Sequence, residues 1–135
     1  MNNVRFATAL HILTLLAIMK DELLSSAFIA GSVNVNAAVI RKEISNLKAC
    51  GLVESKEGKG GGSFLARPAS QIKLSEIYEA VRLVPVLGRA NTPNPKCPVG
   101  KKVNEHLETL YEETDNYVVR KLSTISLEEF AGKFG

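Results

Sequence analysis

At 135 residues the chain has the length of one domain with room for an appended element, and 45% hydrophobic with 23% charged residues excludes global disorder. The net charge of +3 sits in the first half: residues 1–70 hold eight Lys/Arg against five Asp/Glu, residues 71–135 nine against nine. A polyanionic partner is therefore expected for the N-terminal half, and two cysteines without a CxxC pair exclude a disulfide framework and suit a reducing cytoplasm.

Residues 4–20 form a nearly all-apolar helix, which implies burial. Arg5 followed by Phe6 to Met19 has the outline of a signal peptide. His11 and Thr14 interrupt the run, however, and Lys20-Asp21-Glu22 follow at once, so it reads as a core helix. It is also too short for a membrane span, which needs ~20 apolar residues. Ser25 or Ser26 can cap a second helix, Ala27 to Val33. After the polar break at residues 34–36, Asn36 is the expected N-cap of a third helix, Ala37 to Ala49, with Gly51 just past its end. Ile40, Ile44 and Leu47 give that helix one apolar face. Leu52 to Ser55 and Ser63 to Ala66 flank the glycine-rich run 56–62 and read as a β-hairpin. Residues 74–84 form an amphipathic helix. The stretch 85–98 carries Pro85, Pro93, Pro95 and Pro98 and reads as an irregular connector.

A long helix then covers about Val99 to Leu122. Val103, Leu107, Leu110, Thr114 and Tyr117 form a stripe at spacings of four and three, widened by Tyr111, Val118 and Leu122. Such a helix of ~24 residues spans ~36 Å, more than a small domain needs for its own core. Its stripe calls for a partner surface, within the chain or on a second one. A short tail helix, about Ser126 to Phe130, ends the chain. The expected divisions are residues 1–84, a connector (85–98), and the long helix with its tail (99–135).

Helix, helix, turn, helix, hairpin is the order of a winged helix-turn-helix, and the expected fold is mainly α with a small β-hairpin wing and a long C-terminal dimerisation helix. The major groove of B-DNA admits one helix, held by its apolar face and read with the other. On residues 36–48 the free face offers Asn36, Ala37, Ala38, Arg41, Lys42, Ser45 and Lys48, although the same face would also serve an ordinary solvated helix. The hairpin adds Lys56 and Lys59 for phosphates and a tip of Gly58, Gly60, Gly61 and Gly62, followed by Ser63, slim enough for a narrow minor groove. The glycine run lacks phosphate-loop spacing and lies between strands, so nucleotide binding is not expected. No nucleophile–base pair or metal set stands at usable spacing, so no enzyme is expected. A winged-helix protein–protein module without DNA binding is the alternative.

The chain resembles the Rrf2 family of bacterial transcription regulators. The resemblance rests on Phe6 to Leu13, Ile29-Ala30 with Ser32 to Asn36, Ile40-Arg41-Lys42, and Ala49-Cys50-Gly51-Leu52-Val53. It continues through Gly58-Lys59-Gly60-Gly61-Gly62, Leu65-Ala66-Arg67-Pro68, Ile72 to Val81 and Asn94 to Gly100, in collinear order over nearly the whole chain. It implies a winged domain on a long helix that exchanges packing with a twin subunit, and a repressor acting as a homodimer on a pseudo-palindrome. It places residues 36–42 in the major groove and Gly58 to Ser63 at the minor groove. Family members usually carry Asn-Pro-x-Val at the turn; Ala37-Ala38 departs from this and leaves the operator sequence open. Cluster-binding members have three connector cysteines, whereas Cys97 stands alone here. The resemblance is therefore to the cluster-lacking branch, with no iron–sulfur cofactor expected. Cys97 reads as a packed structural thiol or as a redox sensor whose pKa the nearby lysines and helix start would lower. Cys50 reads as packing, His11 as a core or interface residue and His106 as solvated. The connector could also border a small-molecule or protein effector.

Overall fold

A computed structural model describes residues 4–135. Helix α1 (Arg5–Ile18) is the central element, with α2 (Ser26–Val33) and α3 (Ala37–Ala49) packed beside it. An antiparallel hairpin of β1 (Val53–Lys56) and β2 (Gly62–Leu65) follows, with Val53 opposite Leu65 and Lys56 opposite Gly62. Next come α4 (Leu74–Val81), α5 (Pro98–Ser123) and α6 (Leu127–Ala131). The core is continuous through Ile12, Leu13, Leu16, Ile29, Ile40, Leu47, Leu52, Ile72, Ile77 and Leu127. Burying side chains of this size stabilises by about 1.5–3 kcal/mol each before entropy is counted.

Local chemistry explains the element ends. Ser25 caps α2 by accepting the Phe28 N–H at 3.1 Å, and Asn36 caps α3 by accepting the Ala38 N–H at 2.7 Å. Asn34 takes the left-handed conformation that turns the chain between them. Gly51, with φ of 78°, closes α3. Within α1, Thr14 donates to the Leu10 carbonyl at 2.7 Å, which satisfies its buried hydroxyl. Helix α4 stops at Val81 rather than continuing to Val84: Arg82 takes extended backbone angles, and Val84 precedes Pro85, which disfavours helix. Pro98 occupies the first turn of α5, where no backbone N–H is missed.

Two long-range pairings tie the ends of the domain together. Leu24 exchanges backbone hydrogen bonds with Ser63, at 3.1 and 2.9 Å, and so adds a bridge to the hairpin. Lys73 bridges to Ser126, which docks α6 under the fold beside Ile72. The glycine run serves this geometry. A Cβ on Gly62 would lie 2.8 Å from the Leu24 backbone, and one on Gly61 would run into the Lys56 carbonyl.

Candidate nucleic-acid interface

Helix α3 divides into two faces. Ile40, Glu43, Ile44 and Leu47 are buried, and Ala38, Arg41, Lys42, Ser45 and Lys48 are exposed. The apolar residues hold the helix against α1 and α2, and the exposed ones are free to meet a ligand. The Asn36 side-chain oxygen is committed to its cap, leaving its NH2 group as the outward donor. Ala37 is half-buried against the core, so Ala38 supplies the open methyl at this end.

The hairpin stands beside this face. A cleft runs between the start of α2, the outer side of α3 and the wing, lined by Ser25, Arg41, Ser45, Lys48, Lys56 and Gly58, among others. Lys56, Gly58, Lys59 and Gly60 are exposed, and Gly61 is half-buried. Ser63 differs from the expectation. It is 5% exposed, its backbone is turned onto Leu24, and its hydroxyl lies 3.4 Å from that of Ser55, so it borders the base of the cleft and does not project from the wing. Lys42 faces the opposite flank of α3, a groove shared with Val4, Arg5, Val39 and Leu83. Ser25 and Ser26 at the start of α2 also line the cleft, a placement that cap chemistry alone does not reveal.

Helix α5 has no buried residue, although α4 packs along part of it. Val103, Leu107, Thr114 and Val118 are half-buried, whereas Leu110 is 49% and Tyr117 67% exposed. Arg82, just past α4, pairs with Asp115 of α5 at 3.1 Å and with Glu79 at 3.1 Å. Its guanidinium also lies 5.4 Å from the Tyr78 ring centroid. Burial and, after it, the Asp115 charge push the Tyr78 hydroxyl above its ordinary pKa.

Both cysteines are exposed, which corrects the packing expectation for each. Cys50 lies past the end of α3, where the chain turns outward at Gly51. Cys97 is the N-cap of α5, and the backbone N–H groups of Gly100 and then Val99 hold its thiol below the ordinary value. His11 is half-buried and hydrogen-bonds the Ser32 hydroxyl at 2.9 Å, while His106 is exposed. Among the described residues no helix is long and apolar enough to cross a membrane.

Residues 3–133 match the Rrf2 family, described as iron-dependent transcriptional regulators. The chain belongs to the Rrf2 family. Over 130 residues it is 41% identical to YwnA of Bacillus subtilis (strain 168), a candidate HTH-type transcriptional regulator, covering 96% of each chain. It is 37% identical to a candidate DNA-binding protein of known crystal structure, with a TM-score of 0.76 over 93% of this chain and 97% of that one. The fold also matches CymR, the global cysteine regulator of B. subtilis, with a TM-score of 0.72 at 21% identity over 98% and 97% of the two chains. This Rrf2 protein is thus a transcriptional regulator with a winged-helix fold and a long C-terminal helix, and its relatives are regulators rather than enzymes.

The family description raises the question of iron. Among the described residues no three His, Cys, Asp or Glu side chains converge as a metal site. Of the two thiols, only Cys97 stands in the connector region, while Cys50 belongs to the end of α3. That donor set does not fit an iron–sulfur cluster, which typically takes four ligands, mostly cysteine.

Proposed function

We propose that this Rrf2 protein is a cytoplasmic repressor that binds a pseudo-palindromic operator as a homodimer. The observation that carries this reading is the cleft in which the outer face of α3 and the wing share Arg41, Ser45, Lys48 and Lys56. In this reading α3 enters the major groove with Asn36, Ala38 and Arg41 toward base edges, and with Lys42, on the flank away from the wing, toward a phosphate. Ala37 sets the closeness of the approach, and Ser45 and Lys48 meet the flanking backbone. Lys56 and Lys59 neutralise phosphates, while Gly58, Gly60 and Gly61 let the wing lie against the minor groove. Residues 1–84 act as the DNA-binding unit, 85–98 as the connector, and 99–135 as the pairing unit. Val103, Leu107, Leu110, Thr114, Tyr117 and Val118 meet their twins. Ser63 is left out because its side chain is almost fully buried at the base of the cleft.

The test is gel-shift and titration of promoter fragments with Arg41→Ala and Lys59→Ala, prepared separately. Arg41→Ala is expected to weaken binding by about 1–3 kcal/mol and to relax preference at one base position. Lys59→Ala is expected to weaken all sequences alike and to reduce the salt slope by about one phosphate's worth, near 0.9. Parent-like binding by both variants overturns the assignment, and no retarded species at low salt with any genomic fragment favours a protein-binding role instead.

The signal is assigned to the connector, with Cys97 as the thiol. Its exposure and the N–H groups of Gly100 and Val99 favour the thiolate, the reactive form. Mass spectrometry after peroxide or disulfide stress should find Cys97 modified and operator affinity changed. An unmodified thiol with unchanged affinity removes this part of the reading and moves the effector role to a ligand or protein at the connector.

A further inference from the structure

The inner face of α3 contains one residue that packing alone does not ask for. Glu43 lies among Ile40, Ile44 and Leu47 and is 5% exposed. Its Oε2 accepts from Arg5 Nη2 at 3.0 Å, and its Oε1 has no hydrogen-bond partner. The Glu43 carboxylate is buried while the Arg5 side chain is 34% exposed; such a pair is a weak source of stability, because desolvation of the carboxylate offsets the attraction, and an apolar side chain here would extend the same face without that cost. The charge therefore calls for another explanation.

Its connections supply one. Arg5 also donates to the carbonyl of Val81 at 3.5 Å. One turn along α3, Asn46 Nδ2 donates to the carbonyl of Ala80 at 2.9 Å. Both carbonyls belong to the last turn of α4, where helix geometry leaves the backbone acceptors unpaired. The next residue, Arg82, is held by Asp115 of α5, whose other oxygen accepts the Val86 N–H at 2.8 Å. The main packing partners of α3 are α1, α2 and β1, while α5 packs on α4. Polar side chains thus link the proposed reading helix to the joint from which the long helix departs.

We infer that Glu43 and Asn46 are positioning residues that lock the pose of α3 to the α4–α5 joint at Arg82–Asp115. Through them the arrangement of α5 sets the angle and separation at which α3 meets DNA. The inference rests on the reading of α3 as the DNA-contacting helix. It makes half-site spacing, rather than base identity, the property these residues control. None of the four side chains belongs to the DNA surface proposed above, so their removal takes away no phosphate contact.

The experiment is a double-mutant cycle on the full chain with Glu43→Gln, Asp115→Asn and the pair. Affinity is read for an operator selected from genomic DNA and for versions with the centre lengthened or shortened by one base pair. Each single variant is expected to bind the operator on the order of three- to tenfold more weakly. The preference for the native spacing should fall, the salt slope should stay unchanged, and the double variant should bind no worse than the weaker single. A double variant that loses the product of the two effects, or an Asp115→Asn protein that binds every spacing like the parent, overturns the proposal. Amide hydrogen exchange of α3 in the free protein decides the relay without DNA. Asp115→Asn should speed exchange in α3 as Glu43→Gln does, and unchanged exchange counts against it. If the parent itself binds no fragment, the DNA reading fails while the exchange data still judge the relay. Should Glu43→Gln not fold, Arg5→Met with Glu43→Leu and Asn46→Leu keeps side chains of similar size on this face and removes both polar links. It is expected to fold and to tolerate altered spacing, and strict spacing in that protein also overturns the proposal.

Discussion

Ile12, Leu13, Ile40 and Ile77 are sealed inside the winged domain, whereas α5, 26 residues long, buries none of its side chains. The domain satisfies its apolar surface within one chain. The rod touches α4 along one side and leaves Leu110 and Tyr117 in the open. Both regions carry regular helical periodicity, so amphipathic pattern alone does not say whether a stripe is filled from within. What separates them is the number of faces that surround it. Three helices, a hairpin and a docked tail enclose α1, while one short helix lies against α5.

The largest effect should come from truncation inside the domain. Leu13→Ala is expected to cost about 2–5 kcal/mol, because neighbouring elements can only partly collapse around the lost volume. Urea denaturation measures it directly. Tyr117→Ala should leave the domain's own packing intact and shift the monomer–dimer balance toward monomer in sedimentation equilibrium. If Tyr117→Ala instead lowers the denaturation midpoint of dilute monomer as Leu13→Ala does, the contrast between the two regions fails.

Most of this architecture is legible in the residues. The order of elements, the cap at Asn36 and the turn at Gly51 follow from spacing and cap chemistry, which also narrows the α2 cap to Ser25 or Ser26. What stays hidden depends on contacts far apart in the chain. The wing's glycines read as a means of approaching DNA, yet Gly62 is required by the Leu24 backbone, 38 residues earlier. The same bridge encloses Ser63, which alternation alone leaves ambiguous. Periodicity overextends α4, because Leu74, Ile77 and Val81 keep their period to Val84, and the extended backbone at Arg82 wins over that pattern. Glu43 is a different kind of omission. Positions 40, 43, 44 and 47 share one face of α3, so the wheel already turns this carboxylate inward, but a stripe defined by its apolar members passes over it. Cys50 reads as packing, and Cys97 as packing or as a sensor, because cysteine is usually buried. Cap and helix-end positions at Cys97 and Cys50 place them outside.

A smaller effect separates two glycines. Gly62→Ala is expected to destabilise by roughly 1–3 kcal/mol, since the new methyl would meet the Leu24 backbone and force the wing away from it. Gly132 sits at the end of α6 with φ of −62°, and a methyl added there would meet nothing within 4 Å. Gly132→Ala should therefore stabilise by about 0.4–1 kcal/mol through the unfolded chain. Thermal melting of both variants tests whether close backbone approach, rather than glycine content, is what the wing needs.

The smallest effect concerns the seam between the hairpin exit and α4. Burial raises the Glu76 pKa, but the Lys73 N–H at 2.9 Å and the Arg67 guanidinium outweigh it and hold the carboxyl below its ordinary 4.5. A carboxyl with a depressed folded pKa contributes stability that is complete above the unfolded value and is lost as pH falls through the folded one. The Glu76 side chain is 38% exposed and Arg67 37%, so solvent screening keeps the contribution under about 1 kcal/mol. Glu76→Gln should therefore be less stable than the parent at neutral pH, with the gap closing below pH 4.5 as the parent's carboxylate takes up its proton. Denaturation of both proteins from neutral to acidic pH measures the gap. A gap that stays constant across that window would mean the contact acts through shape and not charge. The seam would then be held like the core beside it, and the electrostatic distinction between the domain's sealed interior and its polar edge would not apply at Glu76.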